Sequence, residues 1–427
     1  MPLPFTTLKS GGHHDQGGSR PTLWLPLLAI GILLFFSVGE MYRHTLALLA
    51  VIGLVEFVRN PRQTQGPWFR WYLAAFLCIW IPILISLLDA EFLGASLTVA
   101  ARYLIYLFAG YFIVQRLNLA AHSDLILAGV LAVLSFWALD GMVQLAFGHN
   151  IFGREVFEQG RLTGMLPGVR LGIVLAIFSP LFLHALYRFG RRLPILWLLL
   201  IPYLTAILYG GSRVSWMLLV LGAILYGIFL RLIGTRIDRR KIIAGLVVTA
   251  LICGVALAQS DWLRDRFTQL TGLVSGDYQA MNTAVSDRLP HWKAGYAMWE
   301  QNPVNGIGVR GFPDAYPRYS GGDERHRSQP HLFLLEVGAE TGTVGLAGYL
   351  LFFIVILSAL WKMARAGRYE AMPWGMTLMV AAFPLSASLS LYAHFMSALI
   401  CYLAILFFGI AGDEEIRADP TDTRTDT

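Results

Sequence analysis

The chain has 427 residues, of which 56% are hydrophobic and only 14% charged, and its mean hydropathy is +0.58. A soluble protein carries about 25% charged residues, so this composition excludes an ordinary soluble domain and indicates a helical protein that crosses a membrane many times. The net charge of +6 gives no reason to expect a nucleic-acid partner, because membrane proteins carry extra lysine and arginine in their cytoplasmic loops.

Residues 1–20 are polar and rich in glycine and histidine. We interpret them as a disordered cytoplasmic tail; the alternative, that His13-His14 touches a metal ion, has much weaker support. The apolar run that begins near Leu23 lacks a small-residue cleavage site, so it is expected to anchor the chain and not to be removed as a signal peptide.

Beyond this tail, apolar segments alternate with polar loops. The segments lie at about 23–39, 44–58, 70–88, 96–115, 124–147, 168–187, 193–209, 214–232, 242–259, 341–361, 372–389 and 392–411. Most approach the roughly 20 residues that a helix needs to cross a bilayer. The predicted fold is an all-α polytopic membrane protein with about 12 transmembrane helices, nine within 21–259 and three within 331–411. Cys78, Cys253 and Cys401 fall in apolar segments and are expected to be buried free thiols.

The positions of the basic residues predict how these helices are oriented. One set of short loops is basic and holds Arg59, Arg62, Arg70, Arg188, Arg191, Arg192, Arg231, Arg236, Arg239, Arg240, Lys241, Lys362, Arg365 and Arg368. The opposite set includes the acidic stretch Asp89-Ala90-Glu91. We therefore expect both termini in the cytoplasm, including a short acidic tail at 412–427, and the long segment 260–330 on the outer side.

Segment 260–330 is too long and too polar to be a simple connection between spans, and long loops are usually functional or disordered. Its apolar residues recur at near-helical spacing, as Trp262, Leu263, Phe267, Leu270 and Val274 and again as Leu289, Trp292, Tyr296 and Trp299. This spacing predicts an ordered loop with short amphipathic helices, which either lie at headgroup depth or pack on the tops of the spans.

His331 follows Pro330, a residue that suits the start of a helix. We predict His331 in the first turn of the tenth span, where the helix dipole disfavours the protonated ring. A neutral imidazole there can accept a proton near pH 7. Glu336 and Glu340 are expected on the other side of this helix, so neither is an obvious partner for the histidine.

Three glycines follow the histidine on the same predicted helix. At about 100° per residue, Gly338, Gly342 and Gly345 fall within roughly 40° of the face that carries His331. They predict a smooth strip beneath the imidazole. Small residues at this spacing are also typical of close packing between membrane helices, and such packing would fix the direction of the ring.

Two arginines stand out on the outer side. Arg213 lies at the outer start of the eighth span, against the basic bias of the cytoplasmic loops, so it is either a snorkelling anchor or a functional residue. Arg288 is expected at the start of an amphipathic helix capped by Ser286 or Asp287. A helix N-terminus beside a guanidinium group favours an oxyanion or phosphate, and each arginine–phosphate contact contributes roughly 1.5–3 kcal/mol.

Among the other basic residues of the long outer loop are Lys293, Arg310, Arg318, Arg325 and Arg327. For these we expect a solvated or headgroup-binding role more than a catalytic one. Arg161 lies in another outer loop, near Arg154 and Arg170, where it could contact an anionic lipid or sugar.

Two further features have no clear assignment from the sequence. Asp89 and Glu91 could hold a divalent cation, but no second acidic cluster supports them, and no metal site is predicted. Arg102, inside the fourth span, must pair with another group or reach water, and the sequence does not identify its partner.

Taken together, these motifs resemble the O-antigen ligase family, whose superfamily also contains O-antigen polymerases and protein O-oligosaccharyltransferases. The resemblance covers about 150–350 and is carried, in chain order, by Gly211-Ser212-Arg213 at a span start, Arg288 upstream of the glycine-rich stretch 303–308, and His331 followed by Gly342 and Gly345. Leu332 departs from the family pattern, because many ligases carry a polar residue after the histidine.

The resemblance implies a GT-C-like membrane enzyme of the bacterial inner membrane that needs no metal and no cofactor. Segment 260–330 would be a periplasmic loop that roofs a cavity open to the bilayer. A polysaccharide would leave its undecaprenyl pyrophosphate carrier and join a sugar hydroxyl of lipid A–core with inversion, a step of lipopolysaccharide assembly.

By the same resemblance, His331 would be the general base, while Arg213 and Arg288 would hold the pyrophosphate. Further substrate contacts are expected from Arg161, Lys293 and Arg310. Membrane lipids are the other expected partners.

Three alternatives remain open. A polymerase of the same superfamily would use the same residues but extend one carrier-linked glycan with another. A protein O-oligosaccharyltransferase often bears a larger outer C-terminal region, whereas the tail after Gly412 is short. A twelve-span transporter ranks well behind, because such transporters tend to consist of two similar halves and no repeat is visible here.

Overall fold

The computed structural model describes residues 23–59, 67–116, 120–157, 160–235, 239–321, 329–387 and 389–418. Several positions discussed above lie outside these ranges: the tail 1–20 with His13-His14, Arg62, Arg236, Arg325, Arg327 and the end of the C-terminal tail, 419–427.

The described part of the chain folds into helices connected by turns. Its seventeen α-helices are α1 Trp24–Phe35, α2 Met41–Arg59, α3 Pro67–Ser86, α4 Leu93–Arg116, α5 Ser123–Phe147, α6 Leu171–Ile177, α7 Ser179–Phe189, α8 Leu200–Tyr209, α9 Arg213–Leu232, α10 Arg239–Gln259, α11 Asp261–Thr268, α12 Tyr278–Ala284, α13 Leu289–Gln301, α14 Phe312–Tyr319, α15 Phe333–Arg365, α16 Met372–Ala381 and α17 His394–Ala418. Short 3₁₀ helices precede α8, as Pro194–Leu199, and follow α11, as Gln269–Val274.

Seven of the described helices are long and apolar enough to cross a membrane, namely α2, α3, α4, α5, α9, α15 and α17. Two bent pairs, α6–α7 with a 60° bend and α10–α11 with a 110° bend, bring the number to nine if each pair forms one span. The protein is therefore an all-helical, multi-pass membrane protein with seven to nine candidate spans, and the twelve predicted from the sequence are not seen.

The difference has a geometric reason. A helix needs about 20 residues to cross the roughly 30 Å apolar core of a bilayer. The predicted spans 23–39, 193–209 and 372–389 contain α1 with 12 residues, α8 with 10 and α16 with 10, and each is too short to cross alone. Apolar composition predicted that each of these segments crosses the membrane as one helix, but it did not predict where their helices end.

The basic loops meet at one end of the helix bundle. The Lys362 ammonium at the end of α15 lies 5.2 Å from the ring centroid of Trp68 at the start of α3. Arg188 at the end of α7 pairs with Asp124 at the start of α5, with Nε and Oδ1 3.0 Å apart. These contacts place the ends of α7 and α15 and the starts of α3 and α5 on the same face.

Segment 260–321 lies at the opposite end. The backbone amide of Glu91, after α3, donates to the carbonyl of Ile307 at 3.0 Å, and the Ser96 hydroxyl of α4 donates to the carbonyl of Val309 at 2.8 Å. Helices α11 to α14 lie within this segment, and α13 packs on the first half of α15. The segment is therefore ordered over its described residues and fastened to the ends of several spans.

Candidate active site

The sequence predicted His331 in the first turn of a helix, but in the structure the residue lies just before the helix. Helix α15 begins at Phe333 with Leu332 at its N-cap, and His331 has a left-handed backbone with φ of 58°. Its Nδ1 lies 3.0 Å from the side-chain amide of Gln329, which is buried. The ring of His291 from α13 lies beside it, with centroids 5.6 Å apart.

The start of α15 has no side-chain cap, and a neighbouring loop stabilises it instead. The amide of Phe333 donates to the carbonyl of Ser386 at 3.0 Å, and the amide of Leu334 donates to the carbonyl of Pro384 at 3.1 Å. The first amides of a helix have no partner within the helix, so such external acceptors stabilise its start. Here they fix the chain immediately after His331, which fixes the position of the imidazole.

Helix α15 contains a break at Gly342, where φ is 65° and ψ is −162°. The break leaves the carbonyls of Ala339 and Glu340 without helical partners. The amide of Ile307 donates to Ala339 at 3.0 Å, and the amide of Gly308 donates to Glu340 at 3.1 Å. A backbone carbonyl buried without a partner would cost about 1–3 kcal/mol, so these bonds make the break tolerable.

The second half of α15 is satisfied by the same loop. The amide of Thr343 donates to the carbonyl of Pro303 at 2.8 Å, and the amide of Val344 donates to the carbonyl of Val304 at 3.1 Å. The stretch 303–308 therefore fills the break in α15 and joins its two halves. This is the structural role of the glycine-rich motif that the sequence showed.

The glycines of these motifs do not form the predicted strip beneath the imidazole. A Cβ atom on Gly342 would lie 2.2 Å from the carbonyl oxygen of Val304, and one on Gly306 would lie 2.5 Å from the amide nitrogen of Thr341. Both positions also have positive φ. Gly338 instead gives room to Trp299, whose ring lies 3.1 Å from the position of an added Cβ.

Two fully buried glutamates tie α15 to its surroundings. Glu340 accepts hydrogen bonds from the backbone amides of Arg310 at 2.7 Å and Phe312 at 3.2 Å. Glu336 accepts one from the Ser390 hydroxyl, which also accepts one from Arg310 Nη1 at 3.2 Å. Arg310 was expected to contact substrate, but its described contacts belong to this internal network.

The end of the protein that carries segment 260–321 contains a cavity of about 440 Å³ that we call the four-arginine cavity. Its charged lining consists of Arg161, Arg213, Arg266 and Arg288, and none of the described residues that line it is acidic. The remaining wall is mostly apolar. A cavity with this lining favours an anion attached to an apolar group.

Arg213 is the first residue of α9 and reaches across the cavity wall to segment 260–321. Its Nη1 donates to the Ser286 hydroxyl at 3.3 Å and to the carbonyls of Thr283, at 3.4 Å, and Ala284. Its Nη2 donates to the side-chain oxygen of Gln269. These contacts hold the guanidinium group at the junction of α9 with the outer segment.

Arg266 was missed in the sequence, where only the apolar stripe of its helix was considered. It lies on α11 with its guanidinium carbon 5.4 Å from the ring centroid of Trp262, one helical turn earlier. Its Nη1 lies 3.4 Å from the Ser286 hydroxyl, the same oxygen that Arg213 contacts. An arginine four residues after a tryptophan was the available signal.

Arg161 is the fourth arginine of the cavity and donates from Nε to the carbonyl of Gly210 at 3.3 Å.

Arg288 occupies the N-cap position of α13, but the predicted cap is wrong. The side chain of the N-cap residue makes no capping hydrogen bond to this helix. Ser286 and Asp287 both adopt left-handed backbones, with φ of 61° and 58°. The amide of Leu289 instead donates to Asn282 Oδ1 at 3.1 Å. This tight turn directs the chain so that Arg288 lines the cavity.

The arginines influence one another electrostatically. Burial, and after it the positive charges of Arg213, Arg161 and Arg266 in that order, together lower the pKa of Arg288 to about 10. Burial and the charge of Arg266 lower the pKa of Arg161 to about 10 as well. Both remain charged near neutral pH, so the cavity concentrates positive charge that only an anion would offset.

Arg161, Arg213 and Arg288 line one cavity, but not every predicted site residue lines it. His331 is not part of the cavity lining, although its neighbour Leu332 is. Lys293 is exposed on α13, with its ammonium 4.7 Å from the ring centroid of Tyr278. His331 is thus adjacent in the chain to a residue that lines the cavity, and Lys293 does not line it.

Asp89 and Glu91 make contacts with protein groups. Asn305 Nδ2 donates to Asp89 Oδ2 at 2.7 Å, while Glu91 accepts from Arg318 and, at 3.2 Å, from the Tyr319 hydroxyl. Among the residues that the structure describes, no group of three or more His, Cys, Asp or Glu side chains is placed to hold a metal ion. The acidic pair thus fastens the outer segment to the end of α3.

The structure identifies the partner of Arg102, which the sequence left open, and corrects the prediction that the three cysteines are buried. Arg102, buried in α4, donates from Nη2 to the carbonyl oxygen of Tyr392 in the loop before α17. The cysteines Cys78, Cys253 and Cys401 are free thiols, but they are only partly buried and not fully enclosed.

The fold and this cavity define a class of protein: a multi-pass helical membrane protein with an arginine-lined cavity at one end of its described spans. Residues 194–350 match the family model described as O-antigen ligase (Wzy_C). The matched region contains Arg213, Arg266, Arg288 and His331. The family includes O-antigen ligases and polymerases, which transfer lipid-linked glycans. No curated protein matches the chain.

Proposed function

We propose that this protein is an O-antigen ligase that transfers a polysaccharide from undecaprenyl pyrophosphate to a sugar hydroxyl of lipid A–core. The observation that carries the proposal is the four-arginine cavity, with His331 immediately beside its lining residue Leu332. A diphosphate suits the four arginines of that lining, and the long apolar chain attached to it suits the apolar wall.

The arginines act on the donor. Arg213, Arg266 and Arg288 bind the pyrophosphate oxygens and offset the negative charge that builds on the diphosphate as the glycosidic bond breaks. Guanidinium groups fixed by protein contacts need little reorganisation at that moment. Arg213 is held by Ser286 and by the carbonyl of Thr283, which keeps it at the cavity wall.

His331 acts on the acceptor. Its neutral ring removes the proton from the sugar hydroxyl as the oxygen attacks the anomeric carbon from the face opposite the diphosphate. A new C–O bond forms, the C–O bond to the diphosphate breaks, and its electron pair leaves with the diphosphate. Attack from the opposite face inverts the anomeric configuration.

The Gln329 amide determines which imidazole nitrogen is basic. The Gln329 side-chain nitrogen Nε2 lies 3.0 Å from His331 Nδ1, and a bond donated in this direction leaves the imidazole proton on Nε2. If the amide is turned so that its oxygen faces Nδ1, the oxygen accepts the Nδ1 proton and leaves Nε2 with a lone pair. The proposed base requires this second orientation.

We place the protein in the bacterial inner membrane with both termini in the cytoplasm and segment 260–330 in the periplasm. The clustering of the basic loops at one end and of segment 260–321 at the other supports this orientation. The reaction is proposed to need neither a metal nor a cofactor, because arginines occupy the place where a metal would offset diphosphate charge.

Reconstitution tests the proposal. The purified protein in lipid nanodiscs receives an undecaprenyl pyrophosphate-linked glycan together with either lipid A–core or a second carrier-linked glycan as the acceptor. Glycan addition to lipid A–core is expected. Elongation of the carrier-linked glycan alone would replace the ligase with a polymerase, and addition to neither acceptor would remove the glycosyl-transfer proposal.

A further inference from the structure

A second cavity, of about 330 Å³, lies at the other end of α9 and is called here the Asp124–Arg188 cavity. Phe229 and Ile233 at the end of α9 line it, whereas Arg213 at the start of α9 lines the four-arginine cavity. Since a helix of 20 residues is about 30 Å long, the two cavities lie near opposite faces of the membrane.

The rim of this cavity carries one guanidinium and two carboxylates. Arg188 and Asp124 form a bidentate pair, with Nε–Oδ1 at 3.0 Å and Nη2–Oδ2 at 3.1 Å. The pair uses two of the three guanidinium nitrogens, so Nη1 of Arg188 is left to donate to a ligand. Glu370 is exposed at the same rim, where its Oε2 accepts from the Ser123 hydroxyl at 3.3 Å.

The inner wall is apolar apart from one histidine. Leu127, Phe229 and Trp374 line it, and Trp374 is almost fully buried. His184 also lines it, and no described residue forms a hydrogen bond with its buried Nδ1. A site with charges at the rim and an apolar wall behind them suits an amphipathic molecule.

We propose that the Asp124–Arg188 cavity binds a zwitterionic phospholipid whose headgroup carries a primary ammonium group. The ammonium would lie against Glu370 and Asp124, the phosphate would accept from Arg188 Nη1, and an acyl chain would cover the apolar wall. Two carboxylates against one guanidinium give the residues that line the cavity a net negative charge, which favours a headgroup that carries a cation. The position at the ends of the spans is where lipid headgroups lie.

Native mass spectrometry tests this inference on the full-length protein after purification in detergent and removal of lipid. The protein is titrated with dioleoyl lipids bearing ethanolamine, choline or glycerol headgroups. The ethanolamine lipid is expected to bind about tenfold more tightly than the choline lipid, because a trimethylammonium group has no N–H to donate to carboxylates. The glycerol lipid should bind most weakly.

Glu370→Gln removes one rim charge and should reduce the preference for the ethanolamine lipid about tenfold. Glu300→Gln is the matched control, since Glu300 is exposed on α13 and lines neither cavity. Gel filtration and thermal unfolding confirm that both variants fold. Equal binding of the three lipids, strongest binding of the glycerol lipid, or identical behaviour of the two variants would overturn the inference. Because the readout is lipid binding, the result is independent of glycan transfer.

Discussion

The backbone amide of Gly308 donates a hydrogen bond to the carbonyl oxygen of Glu340, 3.1 Å away, across the break in α15. This bond joins the glycine-rich loop of the outer segment to the helix that follows the proposed base. Glu340 also accepts from the amide of Arg310 at 2.7 Å, so its backbone and side chain both hold the same loop. The two motifs that marked this family in the sequence are thus one structural unit.

Gly342→Ala should destabilise that unit. The new Cβ would lie 2.2 Å from the Val304 carbonyl oxygen, and alanine would have to adopt a φ of 65°. Strain and displacement of the loop should together cost about 2–4 kcal/mol, measured as a lower midpoint of thermal unfolding in detergent. Gly254→Ala on α10 is the control, because its Cβ would meet open space. Unchanged unfolding of the Gly342 variant would show that the break is not under this constraint.

Arg266→Ala should weaken binding of the carrier-linked donor by about ten- to a hundredfold, the range for one arginine–phosphate contact. Arg213→Ala and Arg288→Ala should behave alike. Arg264→Ala is the matched control on the same helix, because Arg264 pairs with exposed Asp261 and does not line the cavity. Donor affinity is measured by microscale thermophoresis with a fluorescent pyrophosphate lipid. Equal affinity of the Arg264 and Arg266 variants would count against the pyrophosphate site.

His331→Ala should lower the rate of glycan transfer by about 10²–10⁴-fold while donor affinity changes little, because a general base acts in the chemical step. Transfer is measured by a gel shift of lipid A–core after a single turnover. His44→Ala on α2 serves as the control, since His44 is exposed and does not line the cavity. If transfer persists at the wild-type rate, the base must be another group.

Arg288→Met should raise the unfolding temperature of the ligand-free protein and abolish most of the stabilisation by inorganic pyrophosphate. The lowered pKa of Arg288, about 10, means that folding disfavours its charged form. The destabilisation is fully present below that pKa and is relieved as pH rises through it. Thermal unfolding near pH 8, with and without pyrophosphate, measures both effects. A less stable ligand-free variant with an intact pyrophosphate response would contradict this assignment.

Chelation should leave the activity intact. The carboxylates of Asp89 and Glu91 are engaged by Asn305, Tyr319 and Arg318, so the acidic pair is explained without a cation. Transfer in the reconstituted system should proceed at the same rate with excess EDTA, measured against a sample with added magnesium. Loss of transfer with EDTA and its return with magnesium would restore a metal to the mechanism.

The sequence by itself determined the class of protein. Apolar segments and local periodicity predict helices because a helix satisfies its own backbone within a few residues. The pattern of basic loops predicts that Arg213 and Arg288 lie on the outer side, and this orientation stays a prediction. The sequence also singled out His331, and the family model covers all three positions.

The tertiary structure decided what distant segments do to each other. The break at Gly342 exists because the loop 303–308 supplies hydrogen-bond partners to both sides of it. Likewise, α10 and α11 meet at a bend of 110°, and Arg266 on α11 lines the cavity. Helices α8 and α16 end before they are long enough to cross a membrane, although the composition of their segments suits a full span. Such pairings depend on packing between elements far apart in the chain, which local patterns of residues do not contain.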